Sequence, residues 1–258
     1  MSEPKQIEID LNPKVLQEMF LRLENTKWPP IVGEDSWDYG VPKQWMQDMI
    51  NYWTTEWKWD NVATQINEWD HFSVTIDQVP IHYLHAPGKG PNPEPLILTH
   101  GWPWTFWDFK DVIGPLSDPE KYGGDPKDSF DVYVPSLPGF IFSSPLTKAG
   151  VDVQEVAKLW NTLMTEVLGY ERFCAHGGDW GAFVTAHLAH EYAQSLIGAH
   201  MSLSVIPGVD RRSLPQDAWS DDENWKIERS QQAENTIRSH LTTHLLDPQT
   251  LAYGMTDS

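Results

Sequence analysis

The chain has 258 residues, 40% of them hydrophobic, which is enough apolar material for one large core and excludes a disordered segment. Its 18 Lys and Arg stand against 37 Asp and Glu, a formal charge of -19 that would repel nucleic acid and anionic membranes and favours a small neutral or cationic ligand. The one cysteine, Cys174, excludes an internal disulfide, and no Cys/His spacing fits a structural zinc site.

A reducing, cytoplasmic setting follows from that cysteine usage. The opening residues lack a charged-then-apolar signal pattern, and no stretch approaches the roughly 18 apolar residues of a membrane span, so the sequence reads as a soluble protein.

Asn12-Pro13 reads as an N-cap with proline at the first helical position, followed by Val15, Leu16, Met19, Phe20 and Leu23 at helical spacing. A second helix is predicted from Pro42, with Trp45, Met49, Ile50, Trp53 and Trp57 on one stripe. Seven of the fourteen tryptophans fall between Trp28 and Trp69, which suggests a helical arm held by bulky anchors. From residue 71 the period becomes two: Phe72, Val74 and Ile76 alternate, Asp77-Gln78 turns, and Ile81 and Tyr83 resume, which predicts a hairpin over 71–77 and 80–86. Further strands are expected near 96–100, 130–135, 172–177 and 197–203. Helices are expected over 105–116, 152–168 and 180–194. Apolar strands alternating with helices indicate an α/β fold with a mostly parallel sheet covered on both faces. After Ser204 the sequence turns polar and acidic before a helical stretch, the beginning of a lid. This gives three segments: an arm plus first hairpin (1–95), an α/β core (96–204) and a lid region (205–258).

The segment "CAHGGDWGAF" carries the chemistry. Gly177, Gly178 and Gly181 surround Asp179 where an apolar strand turns directly into a helix. Such an elbow holds its central residue in a strained conformation that only small neighbours permit, and lifts that side chain clear of the sheet. The amide of the next residue, Trp180, then sits at the positive end of a helix, where it can face a developing oxyanion. Upstream, the strand ending at Thr99 runs into His100-Gly101-Trp102-Pro103, where a hydrolase sheet places its other oxyanion donor.

These motifs, with "WDYGVPKQWMQDMINYW" and "PSLPGFIFSS", strongly resemble the microsomal-type epoxide hydrolases of the α/β-hydrolase superfamily, including their characteristic N-terminal region. The resemblance implies an α/β-hydrolase fold and an enzyme that opens an epoxide to a vicinal diol, a detoxifying hydrolysis. It makes Asp179 the nucleophile, with the amides of Trp102 and Trp180 forming the oxyanion hole. It implies no metal and no organic cofactor. The substrate would be a small, neutral, apolar epoxide, and neither nucleic acid nor membrane is an expected partner.

The sequence departs from the family in two places. Where relatives place a proton-donating lid tyrosine, alignment gives His240, with Tyr253 a weaker candidate in the next helix. The family's catalytic histidine and its carboxylate partner follow the lid, and six strands are counted here with none beyond, so the last strands are expected to be missing. His187 and His190 lie roughly 12 and 16 Å along the helix from Asp179 at 1.5 Å per residue, too far to replace the base. His100 and His176 read as structural hydrogen bonders, and Asp210 as a solvated turn former, with the acid position that some relatives of this superfamily use as its alternative. The expectation is a fragment of a longer enzyme, or one half completed by a C-terminal half or a homo-oligomer partner. The competing functions are a haloalkane dehalogenase, with the Trp102 and Trp180 side chains cradling halide, and a non-turning-over binding protein; a serine esterase is disfavoured because the elbow carries Asp.

Overall fold

The structure, a computed structural model, describes residues 2–31, 33, 35–203, 215, 219–236 and 255. The predicted hairpin forms between β2 (Asp70–Ile76) and β3 (Val79–Ala86), with Ile76 opposite Val79. The turn residues Asp77 and Gln78 have φ of 48° and 68°, the positive pair that a two-residue type I′ turn requires. Asp tolerates that region by bonding locally.

Five more strands complete the sheet: β1 (Lys5–Ile7), β4 (Glu94–Thr99), β5 (Phe130–Pro135), β6 (Phe173–Gly177) and β7 (Leu196–Met201). The order is β1-β2-β3-β5-β4-β6-β7. Pairing is antiparallel from β1 through β5 and parallel from β5 through β7. The sequence reading counted six strands; β1 is the seventh. It is three residues long and its alternation is too short to register as a period.

Of the helices, α1 (Pro13–Glu24) starts at its expected proline and α2 (Lys43–Thr55) one residue after Pro42. Trp57 does not continue the α2 stripe: the chain breaks after Thr55, and a separate helix α3 (Trp59–Ile66) follows, which the sequence reading missed. The expected helix at 105–116 begins as a 3-10 turn over Phe106–Phe109, capped by the Thr105 hydroxyl, and continues as α4 (Lys110–Ser117). That at 152–168 is α5 (Val153–Thr162), capped by Asp152, with a π-turn over Leu163–Val167. The third is α6 (Trp180–Glu191). Beyond the sheet, a capping box at Ser220–Glu223 opens α7 (Asn224–Thr236).

The chain forms two units. One comprises residues 1–12 and 56–209 and holds the whole sheet; the other comprises 13–55 and 210–258. Within the second, α1 packs on α2, and Trp37 meets Trp45 edge to face at 6.1 Å. In the first, alternate residues along each strand feed two cores. Ile97, Tyr133 and Ala175 join Trp160, Leu163 and Leu188 on the face covered by α5 and α6. Leu96, Leu98, Val132 and Val134 join Phe106 and Ile113 on the other. Trp59 and Trp69 pack against this second core, so these two tryptophans of the aromatic-rich segment are indeed packing anchors. On the outer side β7 is largely exposed from Ile197 to His200, and among the described residues no strand pairs with its second edge.

A directed chain of hydrogen bonds ties the segment after β5 to α3. The Ser136 hydroxyl donates to His82 Nδ1, His82 Nε2–H donates to His71 Nδ1, and His71 Nε2–H donates to the Ile66 carbonyl, each at 2.9 Å. The directions follow from the last acceptor, because a carbonyl cannot donate. Burial pushes the His82 imidazole down to about 3, with the neighbouring His71 adding to the shift, so the pair stays neutral. Ser143 adds a second tie: its hydroxyl donates to the Ser136 carbonyl at 2.8 Å and accepts from His82 N–H at 2.9 Å.

At the opposite end of β5, Asp131 collects four donors: His85 Nε2 at 2.9 Å, Gly88 N–H at 3.2 Å, Tyr133 Oη at 3.1 Å and Tyr170 Oη. Burial alone would raise this carboxyl; the bonds from His85 and Tyr170, the attraction of His85 and the Gly88 amide outweigh it and hold it at about 2. A depressed folded value means stabilisation that is present above the unfolded carboxylate range near 4 and is lost as pH falls from there toward 2. Asp131→Asn is therefore expected to cost about 2 kcal/mol at pH 7. Urea unfolding should show the gap between variant and wild type narrowing below pH 4 and closing only as pH approaches 2.

Candidate active site

Parallel pairing of β4 with β6 sets Thr99 opposite Gly177, so the loops that leave these strands emerge side by side. The chain leaves β4 toward β5 on one side and β6 toward β7 on the other. This reversal opens the crevice where open α/β sheets bind ligands.

The elbow after β6 needs its glycines for reasons of space. A Cβ at Gly181 would lie 2.0 Å from the Thr99 carbonyl oxygen, and one at Gly177 would lie 2.1 Å from the Gly181 carbonyl oxygen. Both obstructions are backbone, so neither can swing aside. Between them Asp179 is held at φ 49° and ψ −123°, a conformation that costs a non-glycine residue roughly 1–3 kcal/mol. Its carboxylate makes no capping bond to α6. Instead Asp179 Oδ1 accepts the Trp102 amide hydrogen at 2.8 Å.

That contact depends on Gly101, where an added Cβ would sit 2.5 Å from Asp179 Cβ and 2.6 Å from Oδ1. The Trp102-Pro103 peptide is cis. Trp180 opens α6 directly after Asp179, which puts its amide at the positive end of the helix. The half-buried Asp179 and Gly101 line a cleft of about 590 Å³ with Trp104, Phe109, His176 and Leu203. Trp104, Phe109 and Leu203 escaped the sequence reading, and Trp104, two residues past the amide that meets Asp179, was the one a motif could have exposed.

His100 also faces this cleft, yet its ring is committed. Its Nδ1 lies 2.8 Å from the Gly101 carbonyl, and its Nε2 accepts the Leu137 amide hydrogen at 3.0 Å. Burial lowers it to about 4, against a smaller upward pull from the Gly101 carbonyl. His176 pairs with His200 through their Nδ1 atoms at 2.8 Å, rings stacked at 4.9 Å, and burial followed by that neighbour lowers its affinity for a proton. His187 bonds Glu191 at 2.9 Å on α6, and neither it nor His190 lines the cleft. His240, Tyr253 and Asp210 lie outside the described residues. Among the described residues no three His, Cys, Asp or Glu side chains converge as metal ligands.

Residues 94–247 match the model of the alpha/beta hydrolase fold, more than half of the chain. The chain belongs to that family. Residues 4–109 match the model of the epoxide hydrolase N terminus. A Stigmatella aurantiaca protein named, provisionally, an epoxide hydrolase is 36% identical over 94% of this chain and 54% of its own length. Epoxide hydrolase 1 of Oryctolagus cuniculus is 28% identical over 77% of this chain and 44% of its own. The chain thus spans about half the length of these relatives. Among solved structures, Aspergillus niger epoxide hydrolase superimposes with a TM-score of 0.84 at 21% identity, covering 100% of this chain and 66% of that one, a likeness of fold. The juvenile hormone epoxide hydrolase of Bombyx mori gives 0.71 at 26% identity, covering 79% and 53%. No helix among the described residues of this alpha/beta hydrolase is long and apolar enough to cross a membrane.

Gly181→Ala drives a methyl group into the β4 backbone and is expected to destabilise the fold by about 3 kcal/mol, at the upper end of overpacking costs. Urea denaturation checks it. An unchanged midpoint would mean that the elbow can relax.

Proposed function

We propose that this chain carries the nucleophilic part of an epoxide hydrolase, with Asp179 forming a covalent ester to its substrate. The observation that supports this most is the Trp102 amide on Asp179 Oδ1 in a crevice at the sheet's switch point. One carboxylate oxygen is held and the other, Oδ2, is available. Oδ2 attacks an epoxide carbon, the C–O bond of the strained ring breaks, and the resulting alkoxide takes a proton as it leaves. His240 is the candidate donor from the sequence. Water then attacks the ester carbonyl, and the charge that builds on Oδ1 meets the amides of Trp102 and Trp180. Release of the second C–O bond to the carbonyl frees the diol and restores the carboxylate.

The second half needs a base that takes the water's proton. The two histidines that line the cleft, His100 and His176, are engaged with other partners, and His187 is bonded on the flank of α6. Among the described residues no histidine at the cleft is left to take that proton, and histidine and acid are proposed to come from a further polypeptide segment, a C-terminal half or a partner subunit. The edge of β7 that no described strand pairs is a surface on which an added strand would continue the sheet. The substrate is a small neutral epoxide, in keeping with the apolar Trp104, Phe109 and Leu203. A dehalogenase would need the Trp102 and Trp180 indoles around the halide, but neither residue lines the cleft. A cytoplasmic location fits the single cysteine.

Exposure to styrene oxide should add one substrate mass per chain, and peptide mapping should locate it on Asp179. The ester should persist in the chain alone and be absent from Asp179→Ala. An adduct that survives that substitution, or bromide release from 1,2-dibromoethane without any adduct from styrene oxide, would refute the reading. Gly101→Ala, which pushes loop and carboxylate apart, should slow ester formation ~100-fold, the scale associated with a misplacement of about 1 Å.

A further inference from the structure

We propose that His100 is a positioning residue that orients and polarises the peptide unit facing Asp179, an inference that rests on the function proposed above. The Gly101 carbonyl can only accept, so His100 Nδ1, 2.8 Å away, must carry a hydrogen. The Leu137 amide can only donate, so His100 Nε2, 3.0 Å away, must present a lone pair. One neutral tautomer satisfies both partners, and any other leaves a donor facing a donor or a carbonyl without its bond.

The carbonyl that receives this bond belongs to the peptide unit whose other end is the Trp102 amide. That amide donates to Asp179 Oδ1 at 2.8 Å. The relay thus runs from Leu137 N–H through the imidazole and the planar Gly101–Trp102 peptide to the carboxylate. A bond accepted at the carbonyl end of a peptide makes its N–H a stronger donor, by about 10–30% per link in a chain of such bonds. It also fixes the plane: turning the peptide about its flanking bonds would break the contacts at both ends together.

The ring itself is held from three sides. It is 2% exposed, Phe140 packs edge-on at 5.3 Å, and Leu137 and Phe140 belong to the segment that Ser136 and Ser143 anchor to β3. His100 lines the cleft, but both of its ring nitrogens are committed to backbone groups, so it acts on Asp179 through the Gly101–Trp102 peptide. The donor matters most when the ester carbonyl is attacked and charge builds on Oδ1, because a neutral carbonyl becomes an oxyanion only in that step.

Hydroxylamine allows that step to be read in this chain. It adds to the carbonyl of the Asp179 ester, passes through the same oxyanion, expels the diol and leaves an aspartyl hydroxamate. Three forms are compared after labelling with styrene oxide: wild type, His100→Asn and His100→Phe. Asn can place an amide N–H where Nδ1–H lies, whereas Phe keeps the packing against Phe140 and loses both bonds. We expect His100→Phe to slow hydroxylaminolysis ~10-fold, a fraction of the ~100-fold loss of a whole oxyanion donor, with His100→Asn recovering most of the rate. The proton of the Trp102 amide should move upfield in the Phe variant and return in the Asn variant. Equal rates and equal amide shifts in all three would overturn the proposal. If the Phe variant does not fold, ring nitrogen shifts of wild type decide: a bare Nδ1 with a protonated Nε2 would overturn it, and the reverse supports it. The amide and ring measurements need no substrate, so they stand even where styrene oxide leaves Asp179 unmodified and the function itself fails.

Discussion

Everything at this site depends on how closely two strand ends approach. β4 and β6 run parallel, and the chain that leaves β6 must pass so near the Thr99 carbonyl that position 181 has no room for a side chain. That approach forces the bend which strains Asp179 and turns its carboxylate away from its own helix, toward the loop after β4. The folded sheet supplies the strain energy, and the glycines merely allow it. With bulkier residues there, the same sheet could not bring the carboxylate and the Trp102 amide together.

The same logic of approach extends outward. Gly101 lets the loop after β4 close on Asp179, and His100 ties that loop to Leu137. Leu137 in turn is fixed through Ser136 and Ser143 to His82 and, by way of His71, to Ile66 at the end of α3. The residues that hold the geometry are neutral, buried and hydrogen-bonded at both ends. Leu137 itself belongs to the core on the face covered by α5 and α6, so the loop geometry is tied to that packing as well as to the hydrogen bonds.

Much of this was legible in the sequence because its signals are local. Asp77-Gln78 between two alternating runs announced the hairpin, and the triplet of glycines around Asp179 announced the elbow. Pro13 marked the first helix. What escaped depends on long-range pairing. β1 is only Lys5–Ile7, and it becomes a strand because β2 offers it an edge. Trp57, in the break between α2 and α3, keeps the spacing of the α2 stripe and so reads as its continuation, although the helix ends at Thr55. The commitment of His100 was invisible for a similar reason: Leu137, its donor, lies 37 residues away across a parallel crossover. A histidine beside a glycine in sequence says nothing of which nitrogen carries the hydrogen.

The Trp102 amide makes the two oxygens of Asp179 unequal: Oδ1 is fixed against the backbone, and among the described residues Oδ2 has no hydrogen-bond partner. On the proposed chemistry the free atom stays with the substrate fragment when the ester is cut at its carbonyl, so the first diol made by each molecule carries away an oxygen that the ribosome put there. Solvent then refills the vacancy. On that chemistry an assembled enzyme would be a reagent on its first cycle and a catalyst only from the second onward.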